Sequence, residues 1–189
     1  MRRIILIAGS PREGANTDQM IDDAKAVLQK AGASVLVFQI RQQKIGYCMA
    51  CDACRGEGGA CVQKDDASYI IRELKKCDGI LFAAPVYFGN IPGMVKALID
   101  RFYVLVQPPR EVFDREKETK KLGVLFSFGK GSYTKYAKAA EEVSECFKVT
   151  GVNEHQIVLC GGNDTKQSYQ KNQKYRGEVQ KLAAWLAEE

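Results

Sequence analysis

Long hydrophobic runs are missing from this chain of 189 residues. None approaches the roughly 20 apolar residues that a membrane-spanning helix needs, so no membrane contact is expected. Histidine is almost absent. His155 stands alone, and nothing near it in sequence suggests an activating partner, so a structural role is expected. Neither sign of charge dominates: 28 Lys and Arg face 23 Asp and Glu, a net +5 spread along the chain. Without a basic cluster, no nucleic-acid partner is expected. Internal repeats and low-complexity linkers are missing as well, which with this length predicts a single domain, 1–189. The start, Met1-Arg2-Arg3 followed by Ile4 to Ala8, is too short for the apolar region and cleavage site of a signal peptide.

Cysteine is plentiful by comparison. There are seven, and Cys48, Cys51, Cys54 and Cys61 fall within fourteen positions. An odd count without an export signal argues for the reducing cytoplasm and for thiol chemistry rather than a disulfide framework.

Five short apolar runs alternate with amphipathic stretches. The runs are Ile4 to Ala8, Val35 to Phe38, Ile80 to Ala83, Leu122 to Phe128 and Gln156 to Cys160. They are nearly continuous rather than alternating, as strands buried on both faces of a parallel sheet must be. Between them the period is helical: Met20 to Ala31, Ala67 to Cys77 with Asp65 or Asp66 as N-cap, Met94 to Phe102 after Pro92, Tyr136 to Phe147, and Tyr169 to Leu186. Repeated β-α units predict an α/β fold, a doubly wound parallel sheet with helices on both faces. Every loop after a strand then leaves at the carboxyl edge, where such sheets bind ligands. Those loops hold the four clustered cysteines, in an insertion at about 41–64, and most of the glycines. Cys77, Cys146 and Cys160 are expected in the core, and Trp185 in packing.

The first loop, Gly9-Ser10-Pro11-Arg12-Glu13-Gly14-Ala15-Asn16-Thr17, could place hydroxyls, amides and a guanidinium around a phosphate. No Gly-Lys-Ser/Thr follows, and no Gly-x-Gly-x-x-Gly is present, so neither a Walker A loop nor a dinucleotide fingerprint is read here. The third loop, Pro85-Val86-Tyr87-Phe88-Gly89-Asn90-Ile91-Pro92-Gly93, sets two aromatics beside a glycine and can lie against a planar ring. A helix N-terminus gives a phosphate at most about 2 kcal/mol. Micromolar to nanomolar retention takes about 8–12 kcal/mol, so a phosphate loop needs such a ring loop beside it.

These residues carry a family resemblance. Gly9-Ser10-Pro11-Arg12 with Asn16-Thr17, then Cys48-x₂-Cys51-x₂-Cys54, Cys61 and Asp65-Asp66, then Pro85 to Asn90 with Lys96 and Asp100-Arg101, resemble the NADPH-dependent FMN reductase family. Within it they resemble the iron–sulfur flavoprotein branch of the flavodoxin-like superfamily. The specific motifs run to about Arg101, and the remainder matches in outline. The resemblance implies a five-stranded sheet of order 2-1-3-4-5 with the cysteine-rich loop after its second strand. It implies FMN, its phosphate held by Ser10, Arg12, Asn16 and Thr17 and its ring by Pro85, Val86, Tyr87, Phe88, Gly89 and Asn90. Gly129 and Gly131, in the loop after the fourth strand, would complete the ring site. Gly14-Ala15-Asn16 departs from relatives that join Gly to Asn directly, which makes the phosphate loop one residue longer.

For Cys48, Cys51, Cys54 and Cys61, three closely spaced cysteines plus one match the ligand set of a [4Fe–4S] cluster. A zinc site more often uses two separated pairs, and four free thiols are the third reading. All three stay open at this point. The function expected is an FMN-dependent oxidoreductase in which the flavin does the chemistry, with no protein acid or base required. NAD(P)H or ferredoxin would donate, and a quinone, a flavin or another small acceptor would receive. The alternative is an electron-transfer carrier without small-substrate turnover. The resemblance also implies a homodimer or homotetramer.

Overall fold

Each of the five apolar runs forms a strand. In the computed structural model, which describes residues 1–56, 59–106 and 120–188, they are β1 (Arg3–Ala8), β2 (Ser34–Gln39), β3 (Gly79–Pro85), β4 (Lys120–Ser127) and β5 (Val152–Cys160). All neighbours pair in parallel, in the order β2-β1-β3-β4-β5. This is the flavodoxin-like arrangement. β3 and β4 are buried throughout, while β2 and β5, at the sheet's edges, are mostly partly covered or exposed. The expectation of burial on both faces thus holds for the inner strands and not for the edge strands, even though the β2 run Val35 to Phe38 is unbroken.

The helices are α1 (Asn16–Lys30), α2 (Asp66–Lys76), α3 (Gly93–Asp100), α4 (Tyr133–Phe147), α5 (Ser168–Lys171) and α6 (Gln173–Ala187). On one face Ile5, Phe82 and Phe126 pack with Ile70, Leu74, Leu98 and Phe147 of α2, α3 and α4. On the other, Leu6, Leu81 and Leu125 pack with Met20, Leu28, Val179 and Leu182 of α1 and α6. Asp65 caps α2, its side chain accepting the Ala67 N–H at 3.2 Å.

Three expectations are corrected. The last helical stretch is two helices, because Asn172 leaves the helix and accepts the Tyr175 N–H at 3.2 Å to cap α6. Cys146 is exposed rather than core, because α4 buries the stripe through Ala139, Ala140, Val143 and Phe147 and leaves Cys146 outside it. β4 begins two residues earlier than its apolar run, at Lys120 and Lys121, which are both buried.

Those lysines close the amino edge of the sheet. Lys120 Nζ donates to Thr150 O at 2.6 Å, Leu74 O at 3.0 Å and Lys75 O at 3.5 Å, so its charge meets the carbonyl end of α2. Lys121, pointing to the opposite face, donates to Trp185 O at 3.2 Å and Glu188 O at 3.1 Å at the end of α6. His155 does have a partner, Glu141 Oε2 at 2.7 Å on α4, but it pairs opposite Leu122 towards the amino half of the sheet.

Candidate cofactor site

At the carboxyl edge, β1 and β3 end in register, Ala8 opposite Ala83, and Gly9 N–H donates to Ala83 O at 2.8 Å. A Cβ at Gly9 would sit 2.8 Å from Val95 and 3.1 Å from that carbonyl, so only glycine lets the chain turn here. α1 starts at Asn16, which places Asn16 and Thr17 inside its first turn. Ala15 at the N-cap supplies no capping side chain. The amides there are the natural seat of an anion.

The loop before this helix is braced by its own side chains. Ser10 Oγ accepts the Arg12 N–H at 3.1 Å and is buried. Asp18 Oδ2 accepts the Gly14 N–H at 2.8 Å, and its other oxygen pairs with Arg41 Nη1 at 3.0 Å. Asn16 spans to the fifth loop: Nδ2 donates to Thr165 O at 2.7 Å, and Oδ1 accepts the Tyr169 N–H at 3.1 Å. Ser10 and Asn16 therefore shape the loop. Arg12 is left exposed, and neither its guanidinium nor the Thr17 hydroxyl has a partner among the described residues. Sequence reading missed Arg41, because its role depends on β2 ending beside the first loop.

In the third loop, Tyr87 N–H donates to Asn90 O at 2.7 Å and Asn90 N–H to Tyr87 O at 3.1 Å, which closes a two-residue turn. Phe88 and Gly89 at its tip both have positive φ, 51° and 92°. Glycine adopts that conformation freely; phenylalanine does so at a cost of about 1–3 kcal/mol. The Phe88 ring is nonetheless fully exposed, and Tyr87 is partly so. Pro85 ends β3, and Val86 N–H donates to Ser127 O at 2.8 Å, which sets the turn beside the fourth loop. A Cβ at Gly89 would lie 3.0 Å from Lys135 Nζ, so this cation, not foreseen in the sequence, stands over the turn.

Loops four and five are stitched together. Asn163, buried, donates from Nδ2 to Ser127 Oγ at 2.9 Å and to Cys160 O at 3.0 Å. Gly129 and Gly131 have packing reasons of their own: a Cβ would come within 2.4 Å of Asp164 Oδ1 at the first and 2.3 Å of the Tyr136 ring at the second. Phe128, Tyr133 and Tyr136 form an aromatic group there, with ring centroids 5.0 and 4.7 Å from Phe128. An uncapped helix start, a free guanidinium and exposed aromatics along one edge fit a molecule with an anionic tail and a flat ring.

The cysteine segment lies between β2 and α2 at the same edge. Cys51 is exposed and Cys48, Cys54 and Cys61 half-buried. Burial pushes the Cys54 thiol up, and Cys61, Cys51 and Cys48 add to the shift, so the four sulfurs share one electrostatic neighbourhood. Among the described residues, no three His, Cys, Asp or Glu side chains gather around a single ion position. Four thiols on one loop are a donor set that suits a [4Fe–4S] cluster and a lone zinc ion alike. Cys77 and Cys160, by contrast, are pushed up to about 11 and about 12 by burial, as inert core thiols should be.

The match to the family model of the NADPH-dependent FMN reductases runs over residues 2–164. The chain belongs to that family. An iron-sulfur flavoprotein from Archaeoglobus fulgidus is 30% identical over 160 residues, 85% of this chain and 76% of that one. Another, from Methanosarcina thermophila, is 40% identical over 103 residues, 54% of this chain and 53% of the relative. In the strongest matches the chain spans about half the length of the curated relatives. Among solved structures, the NAD(P)H:quinone oxidoreductase from Methanothermobacter marburgensis superposes with a TM-score of 0.76 at 14% identity, covering 100% of this chain and 97% of that one. An FMN-dependent NADH-azoreductase from Bacillus anthracis in complex with FMN gives 0.71 at 15%, covering all of both chains. These likenesses establish the shared fold of this FMN reductase family member.

Below the cysteines the segment is anchored by charge. Asp65 is half-buried, and that desolvation raises its pKa, but hydrogen bonds from Arg101, the Gly46 N–H and the Ala67 N–H outweigh this and hold the carboxyl below its ordinary value. A lowered folded-state pKa contributes stability that is present above the unfolded value and lost as pH falls through the folded one. Acid unfolding curves should therefore show Asp65→Asn less stable than wild type at neutral pH. The gap should begin to close near pH 4, the ordinary aspartate range, and vanish only below the lowered folded-state value. A gap independent of pH would remove the ionic account.

Proposed function

We propose that this chain is an FMN-dependent NAD(P)H oxidoreductase acting on a quinone, a flavin or another small acceptor. The observation that carries the reading is the meeting, at one sheet edge, of an unpartnered Arg12 at an uncapped helix start with a strained, exposed Phe88. Bound there, FMN supplies a ring that exchanges hydride or single electrons. Arg12, Thr17 and the first-turn amides of α1 would hold its phosphate. Pro85 to Asn90 would lie along the ring, while Gly129 and Gly131 keep the adjoining loop close. Phe88 and Tyr87 would then be covered by ring, substrate or a second subunit, which explains why a conformation so costly is kept in the open. That coverage supports a homodimer or homotetramer.

The cysteine segment favours a second reading, an electron-transfer carrier without small-substrate turnover. Cys48, Cys51, Cys54 and Cys61 would ligate a [4Fe–4S] cluster, which supplies one-electron transfer beside the flavin, with ferredoxin as a donor. No helix among the described residues is long and apolar enough to cross a membrane.

The test separates phosphate from ring. A charge-assisted hydrogen bond to phosphate contributes about 1.5–3 kcal/mol. Arg12→Ala should weaken FMN about 10- to 100-fold and leave riboflavin, which lacks the phosphate, bound as in wild type. Equal weakening of both would place Arg12 elsewhere.

A further inference from the structure

We propose that Arg101 is a positioning residue for the cysteine segment, clamping both ends of the stretch from Gly46 to Asp65 to the end of α3. This rests on the reading that the four cysteines act together as a ligand loop.

Arg101 follows the last residue of α3 and is 3% exposed. Its Nη1 donates to Gly46 O at 3.0 Å and to Asp65 Oδ2 at 2.7 Å, and Nη2 donates to Asp65 Oδ1 at 3.0 Å. Asp65 Oδ2 in turn accepts the Gly46 N–H at 2.9 Å. Gly46 lies two residues before Cys48, and Asp65 four residues after Cys61. One guanidinium thus joins the chain where it enters the cysteine segment to the chain where it leaves. Its planar fork is suited to this, since a carboxylate is met by two parallel donors and a third acceptor is still reached.

Two further observations point the clamp at the cysteines rather than at the core. Arg101 Nε is buried with no acceptor among the described residues, so the guanidinium is not fully used by the bonds that hold the fold. The described residues of the segment bury little apolar surface: Tyr47, Met49 and Val62 are exposed, and Cys61 and Asp65 border a cavity of about 520 Å³ that runs to Val104 and Leu105. Hydrogen bonds, not buried apolar surface, fix where the thiols stand.

Breaking the pair should loosen the segment and spare the sheet. Hydrogen exchange of the metal-free, reduced protein reads this directly. Arg101→Gln should exchange at least tenfold faster between residues 44 and 67, with β1 and β3 as protected as in wild type. Arg101→Lys, which keeps the charge but loses the planar fork that meets Asp65 with two parallel donors, should fall between the two and guards against a Gln variant that does not fold. After anaerobic reconstitution with iron and sulfide, iron retained per chain should fall several-fold in Arg101→Gln and recover partly in Arg101→Lys. Unchanged exchange in 44–67, or acceleration shared equally by β3, overturns the proposal. If wild type itself retains no iron, the cluster reading fails alone, and the exchange data still decide the clamp.

Discussion

Asn16→Ala should cost about 3 kcal/mol of stability in flavin-free protein. The variant strips partners from Thr165 O and from the N–H of Tyr169, a fully buried residue, and each stranded group costs about 1–3 kcal/mol. Arg12→Ala, only four residues away on an exposed loop, should stay within about 0.5 kcal/mol of wild type. Urea unfolding without FMN tests both. The contrast matters because family resemblance groups the two residues together as phosphate ligands. In this fold the Asn16 side chain joins two loops, whereas the Arg12 side chain has no partner among the described residues. Equal stabilities for the two variants would mean that the link from the first loop to the fifth is not what Asn16 provides.

Lys120→Met should lower stability by about 2–4 kcal/mol while leaving FMN affinity unchanged. The residue is 4% exposed, and its ammonium serves three carbonyls, two of them in the last turn of α2. Methionine preserves the apolar stem but leaves those acceptors unpaired in the interior. The residue sits at the amino edge of the sheet, the far end from the first and third loops, so damage should not reach the site. A drop in thermal midpoint with an unchanged FMN titration is the expected pair of results. A neutral substitution would show that the carbonyls find other donors.

The strands were legible because burial on both faces forces unbroken apolar sequence, as in Ile4 to Ala8 and Ile80 to Ala83. Lys120 and Lys121 lay beyond that signal. A buried lysine needs acceptors for its ammonium, and here they come largely from the ends of α2 and α6, distant in sequence. The break at Asn172 was hidden for a similar reason, since the helical period runs on through both helices and only the cap interrupts it. At the site, loop positions were readable from strand ends, but the division of labour inside a loop was not. Ser10 turns back on Arg12, Asp18 is neutralised by Arg41, and Lys135 stands over Gly89; each depends on a neighbour brought in by the fold. The glycines show the same limit. Gly129 and Gly131 are read as flavin-loop residues in sequence, and the fold adds a packing reason, Asp164 and Tyr136, that the sequence does not display.

The central claim is that this edge holds FMN and lets NAD(P)H reduce it. The most direct measurement is to load the purified chain with FMN, determine the bound flavin per chain, and add NADPH or NADH under anaerobic conditions. The account predicts one FMN per chain, retained at micromolar concentrations or below, with its visible absorbance bleached by at least one of the two nucleotides. No flavin uptake at micromolar levels, or bound flavin that neither nucleotide reduces, would contradict it.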